Sequence, residues 1–206
     1  DKDPAKRVQM IAEAGELAIP FTTGILVGIG ENEAERIASL LAIRELHERH
    51  CHIQEVIVQN FRAKPTPPMA GSPELTDHEM VRTVALARPI LGGAMNLQAP
   101  PNLSPAAHGR LIRAGINDWG GISPLTLDYV NPEARWPHIE RLAATCREEG
   151  FELEPRLPIY REFIDDRFVI PRMLDAIARV SQSEARVAPP PASAQTAPSG
   201  ADKDEA

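Results

Sequence analysis

Residues Thr22 to Glu31, reading TTGILVGIGE, decide the fold. Gly24-Ile25-Leu26-Val27-Gly28 is a run of small and aliphatic residues, the pattern of a strand buried on both faces. Parallel sheets show it because helices cover both sides. Gly28-Ile29-Gly30-Glu31 then turns the chain directly into a helix. Gly24, Gly28 and Gly30 carry no side chain, so a ligand can lie against their backbone. Glu31 falls where strand gives way to helix, the place where ligands collect in parallel α/β folds.

Working outward, Asp3-Pro4 starts a helix upstream, and Asn32 to His50 forms one downstream with Ile37, Leu40 and Leu41 inward. Ile53 to Phe61 is the next strand. It ends in Gln59-Asn60-Phe61-Arg62-Ala63-Lys64, followed by the proline-rich loop PTPPM. Thr76-Asp77-His78-Glu79 is a capping box opening a third helix. A strand at Ala94 to Ala99 ends in Gln98 and runs into PPNLSP, after which Ser104-Pro105 opens a helix closed by Gly115. The strand Ile116 to Gly121 is the most polar. A helix after Trp136-Pro137 turns Ile139, Leu142, Ala143 and Cys146 inward and stops at Gly150. Phe151 to Leu157 is read as a last short strand and Pro171 to Val180 as a final helix.

Helix and strand alternate four times, which leaves an open doubly wound sheet or part of a (β/α) barrel. Each strand ends in polar or glycine groups: Glu31, then Gln59-Asn60, then Gln98 with Asn102, then Asn117-Asp118. A ring of such ends is how a barrel builds its site, whereas an open sheet gathers them at one switch point. The expectation is therefore an α/β fold, with four parallel strands making half of a TIM-type barrel over residues 1–182. Residues 183–206, rich in Ala, Pro and Ser around Pro189-Pro190-Pro191, are expected to be a disordered tail or a linker.

Composition narrows the function. Of 206 residues 43% are hydrophobic, enough for a core. Against 22 Lys and Arg stand 29 Asp and Glu, a net charge of −7 with no basic run, which argues against nucleic acid and anionic membranes as partners. No apolar window is long enough to span a membrane, and no signal peptide is visible. Cys51 and Cys146 lie far apart, as reduced thiols of a cytoplasmic protein do. The chain begins with Asp inside an element and is read as a piece of something longer.

Several constellations carry competing readings. Gly28-Ile29-Gly30-Glu31-Asn32-Glu33 resembles a dinucleotide fingerprint, but Glu33 takes the third glycine's place. His47, His50, Cys51 and His52 could ligate a metal, but the preferred reading is of cationic groups at a solvated helix end, where the dipole favours them. Gln59, Asn60, Arg62 and Lys64 either cap a loop or hydrogen-bond a carboxylate, amide or polyol ligand. Asn117-Asp118-Trp119 sets a carboxylate and an indole at a strand end. No Ser/His/Asp order and no GxSxG is present.

Together, TTGILVGIGE, IQEVIVQNFRAKPTPPM, NLQAPPNLSP and GINDWGGISPLTLDYVNPEARWP resemble the radical S-adenosylmethionine enzyme FO synthase, specifically its CofG-type half. The likeness runs from about Pro4 to Tyr160. Gly24, Leu26, Gly28 and Glu31 match that superfamily's GxIxGxxE strand, with Leu26 in place of isoleucine. The resemblance implies that these four positions lie along the adenosyl part of S-adenosylmethionine. It implies a 5′-deoxyadenosyl radical, formed at a 4Fe–4S cluster with electrons from a donor. The radical abstracts hydrogen from an adduct of a tyrosine-derived phenol with 5-amino-6-ribitylaminouracil. Ring closure with loss of ammonia then gives FO, a precursor of coenzyme F420. Gln59, Asn60, Arg62, Gln98, Asn102, Asn117 and Asp118 are expected to line the substrate cavity, with Asp118 the candidate catalytic group. The family's CxxxCxxC is absent, so no metal ligand is expected here; the chain reads as the C-terminal half of the barrel, inactive alone. A partner half that makes the adduct is implied, fused or separate. The alternatives are a menaquinone-pathway or biotin-synthase-like radical enzyme, or a non-catalytic α/β module.

Overall fold

The computed structural model describes residues 3–64, 70–123 and 125–187. The PTPPM loop and residues 188–206 of the expected tail lie outside them. Helix α1 (Pro4–Glu16) begins where the Asp3 carboxylate accepts from the Ala5 N–H at 3.0 Å, with Pro4 in the first turn. Strand β1 (Phe21–Val27) ends at Gly28, whose φ of 96° suits glycine. Helix α2 (Glu33–His50) opens with a reciprocal cap between Asn32 and Glu35, and α3 (Asp77–Leu91) with the same device between Thr76 and Glu79. Between them lies β2 (Ile53–Asn60). Strand β3 (Leu97–Gln98), α4 (His108–Ala114) and α5 (Ile139–Glu148) complete the regular elements up to Val169, with a single 3₁₀ turn at Arg161–Phe163.

The three strands are parallel, in the order β1-β2-β3. Gly24 pairs with Ile57 and Ile57 with Gln98, so one row crosses the sheet. Strand direction alternates side chains between two faces. Val27, Val56, Val58, Leu97 and Ala99 pack with Leu40, Ile43, Met80, Val84, Ala87 and Leu111 in one core. The other face carries Thr22, Gly24 and Leu26 of β1, then Glu55, Ile57 and Gln59 of β2, then Gln98. This face is not covered on β1, where Thr22, Gly24 and Leu26 are exposed. The expectation of a strand buried on both faces is corrected: β1 is the edge strand, and helices pack on one side of it.

The fourth strand is also corrected. Of Ile116–Gly121 only Asp118 joins the sheet, through an isolated parallel bridge to Gln98. Its own side chain ends the pairing, because the carboxylate accepts the Gly120 N–H at 2.6 Å and Gly120 takes a φ of 71°. Phe151–Leu157 forms no strand; Pro155 cannot donate to a ladder, and Arg156 is drawn back to Asp118. The helix expected from Ser104 begins at His108, and the strand expected over Ala94–Ala99 shrinks to two residues. From Ile170 a second unit begins, in which α6 (Pro171–Val187) is described. This helix continues past Val180 because Ser181–Val187 contains neither glycine nor proline.

Candidate functional site

Parallel pairing puts the carboxyl ends of β1, β2 and β3 on one side and sets chemistry-bearing residues in rows. Gly24, Ile57, Gln98 and Asp118 stand in one row, and Leu26 and Gln59 in the next toward the carboxyl ends. Gly24 is demanded by the sheet itself: a Cβ there would fall 2.1 Å from the Ile57 carbonyl oxygen. Leu26 is 43% exposed on the open face.

The turn after β1 is held by Glu31. Its carboxylate accepts from the N–H groups of Gly28 and Ile29, each at 2.7 Å, and pairs with Arg36 Nε at 2.7 Å. Burial pushes its pKa up, but the Gly28 N–H, the Arg36 guanidinium and the Ile29 N–H outweigh this, and the group is held below the usual carboxylate range. Glu31 thus faces its own turn, shaping the glycines rather than offering a free charge.

Beyond the carboxyl ends, a cleft of about 160 Å³ is lined by Gln59, Gln98, Asn102, Trp119, Asp128 and Trp136, among others. Asn102 Nδ2 donates to Asp128 Oδ2 at 2.9 Å and to the Ala134 carbonyl at 3.2 Å. Asp128 also accepts the Val130 and Asn131 N–H groups at 2.8 and 3.1 Å. Burial raises its pKa, yet the Asn102 amide and these N–H groups hold it below the ordinary value. A neighbouring depression is lined by Arg62, Glu74, Asn102 and Glu133.

Within that row, Asp118 belongs to an ionic group. Arg156 Nη2 donates to Asp118 Oδ1 at 3.0 Å and to Glu55 Oε1 at 2.9 Å, and Arg156 Nε contacts Asp118 Oδ2. The Tyr160 hydroxyl donates to Glu55 Oε1 at 2.9 Å, and the guanidinium lies 4.0 Å over the Tyr160 ring. Burial raises the Glu55 pKa, with the Asp118 charge adding to it and Tyr160 and Arg156 opposing. Burial and the same two carboxylates push the Tyr160 hydroxyl up, so it stays a donor. Glu55, Arg156 and Tyr160 were not expected from sequence; Arg156 lies 38 residues from Asp118, and nothing local marks the pairing.

Other expected residues separate by role. Gln59, Gln98 and Asn102 meet in the cleft. Asn60 is buried, with Nδ2 on the Leu103 carbonyl at 3.0 Å, and Arg62 spans from Glu74 to that same carbonyl. Asn117 turns to the structural side. Its Oδ1 accepts from the Leu97 N–H at 2.7 Å and from Arg88 at 3.0 Å, while Arg88 also ties the Gly115 and Met95 carbonyls. His52 is buried against the Ile11 carbonyl at 2.8 Å, which corrects the reading of a solvated histidine cluster. Among the described residues, no group of three His, Cys, Asp or Glu could hold a metal ion.

No family model and no solved structure matches the chain. It is 50% identical over 190 residues to FO synthase of Streptomyces coelicolor, covering 91% of this chain and 22% of that protein. It is 50% identical over 178 residues to 7,8-didemethyl-8-hydroxy-5-deazariboflavin synthase of Methanococcus maripaludis, covering 86% of this chain and 50% of the relative. The chain is homologous to a segment of FO synthase. With the Methanopyrus kandleri enzyme of the same name the identity is 49% over 183 residues, or 89% of this chain and 54% of that one. The chain therefore spans about half the length of the Methanococcus and Methanopyrus relatives and about a fifth of the Streptomyces one.

Proposed function

We propose that this chain is the C-terminal part of the (β/α) barrel of an FO synthase, in the half that closes the deazaflavin ring with loss of ammonia on the way to coenzyme F420. The observation that carries this reading is identity of about half the residues over 86–91% of the chain to proteins named for that product. The open sheet face agrees with it. Thr22, Gly24 and Leu26 present backbone and an exposed apolar side chain, which fits the adenosyl portion of S-adenosylmethionine, with the Gly28–Gly30 turn beside it. S-adenosylmethionine, when bound, supplies the hydrogen-abstracting chemistry.

A 4Fe–4S cluster does not fit these residues. Soft thiolates hold such iron, and Cys51 sits at a helix end while Cys146 is buried against Trp119. The cluster ligands belong, in this reading, to a part of the enzyme outside residues 1–206.

In this reading Glu31 keeps the turn in the shape the cofactor meets, and Gln59, Gln98 and Asn102 line the substrate cavity with amide groups. Asn60, Arg62 and Asn117 support the segments that carry them. Asp118 is the candidate catalytic carboxylate, held by Arg156 level with Gly24, where it sets a negative charge for the departing amino group. The partner half that makes the adduct, fused or separate, an electron donor and a cytoplasmic setting complete the proposal. No helix among the described residues is long and apolar enough to cross a membrane. The test is product formation: the full-length enzyme, given adduct, S-adenosylmethionine and reductant, is expected to release FO and ammonia, read by chromatography. Adduct that persists unchanged beside a cluster-loaded enzyme overturns the reading.

A further inference from the structure

Two of the residues that line the cleft carry buried polar atoms of opposite kind with no partner among the described residues: Asn102 Oδ1, an acceptor, and Trp136 Nε1, a donor. Buried polar atoms are nearly always paired, so each such atom calls for an explanation. The Asn102 side chain is 3% exposed, and its orientation is set: Nδ2 is committed to the Asp128 carboxylate and the Ala134 carbonyl, which leaves Oδ1 as the acceptor. Asp128 is in turn fixed by the Val130 and Asn131 N–H groups. The chain's other indole differs, since Trp119 Nε1 reaches Cys146 Sγ at 3.5 Å. Both tryptophans nevertheless wall the same cleft, together with Pro100 and Leu103. Its volume of about 160 Å³ is below the roughly 300–1,000 Å³ of pockets for drug-sized ligands and suits a single planar ring.

We propose that Asn102 and Trp136 are the specificity-determining pair for the ring substrate: Asn102 Oδ1 accepts a ring N–H while Trp136 Nε1 donates to the adjacent ring carbonyl. Such an amide edge carries the matching donor and acceptor side by side, and the indole faces supply the stacking surface. A site built to hydrogen-bond a ring N–H rejects an analogue that lacks it, because its own buried atoms are then left unpaired. The identity of the ring rests on the FO synthase reading; the pairing of these two atoms with an amide edge rests on the cleft.

The experiment is calorimetric titration of full-length enzyme with the tyrosine-derived adduct of 5-amino-6-ribitylaminouracil and with its ring-N-methylated analogue, alongside S-adenosylmethionine. Methylation is expected to weaken binding to the wild type at least tenfold. Trp136→Phe, which keeps a ring and removes the N–H, is expected to weaken adduct binding about tenfold. Asn102→Leu is expected to abolish the discrimination between adduct and analogue. Unchanged S-adenosylmethionine affinity reports intact folding of each variant. Wild-type enzyme that binds both ring compounds equally, or a folded Trp136→Phe variant that binds adduct as the wild type does, overturns the pairing while leaving FO synthesis standing. Wild-type enzyme that binds neither ring compound overturns the underlying reading instead. Where a variant fails to fold, the methylation result on the wild type decides alone.

Discussion

Replacing Arg156 by Met removes the cation that bridges Glu55 and Asp118 and leaves the two carboxylates without it. Unit charges about 3 Å apart attract by roughly 5 kcal/mol at an effective dielectric of about 20, before desolvation is counted. Breaking a buried pair by removing one partner costs about 3–5 kcal/mol, because the remaining charge is stranded. The Arg156 side chain is 30% exposed, so water screens part of this and ~2–3 kcal/mol is the expected loss. The pH dependence follows from Glu55. Its pKa is already raised, by burial first and by Asp118 next, and Arg156 is one of the groups opposing. Without Arg156 it rises further. A carboxyl whose folded pKa exceeds its unfolded value of about 4.3 binds more protons when folded, so stability falls as pH rises through that window. The deficit of Arg156→Met relative to wild type should therefore be largest near neutrality and shrink toward pH 5. Urea unfolding of the full-length enzyme at pH 7.5 and pH 5, followed by tryptophan fluorescence, measures it. A loss under about 0.5 kcal/mol, or one equal at both pH values, would refute the ionic account.

Three other outcomes are expected. Glu31→Gln gives up charge-assisted bonds to Gly28 and Ile29 and should cost ~1.5–3 kcal/mol at pH 7 in the same unfolding assay. Its folded pKa is lowered, so the wild type's advantage should shrink as pH falls from the carboxylate range through that lowered pKa, and an advantage that stays the same from about pH 7 down to about pH 2 would contradict the clasp. Asp118→Ala should lower the rate of FO formation at least a hundredfold with S-adenosylmethionine affinity retained; wild-type turnover would exclude a catalytic role. The isolated chain, with the open edge of β1 and Leu26 in water, should associate, and a monodisperse monomer in sedimentation velocity would count against an incomplete barrel.

What could be read in advance was what local chemistry dictates. Asn32 and Thr76 cap their helices as their sequences require, because a cap and its partner lie three residues apart. The parallel order of the first three strands followed from alternating periodicity. What failed depended on distant partners. Asn117 looked like a ligand at a strand end, but Arg88, 29 residues earlier, turns it to the structural side. His52 follows a charged helix end and is nonetheless enclosed by α1 through the Ile11 carbonyl. Asp118 could be read as a carboxylate at a strand end, while its contacts with Arg156 and, through it, Glu55 could not, since one sat in a supposed strand and the other in an ordinary one. Leu41, expected to face inward with Ile37 and Leu40, lies exposed, and Ile43 and Leu46 complete the core instead.

The central claim is that the open face of β1, level with Asp118, is where the cofactor meets the substrate cavity. A crystal structure of the full-length enzyme with S-adenosylmethionine tests it most directly. The account predicts the adenosyl group against Thr22, Gly24 and Leu26, with Gln98 and Asp118 across the same hollow; a cofactor seated on the helix-covered face or away from this sheet would contradict it.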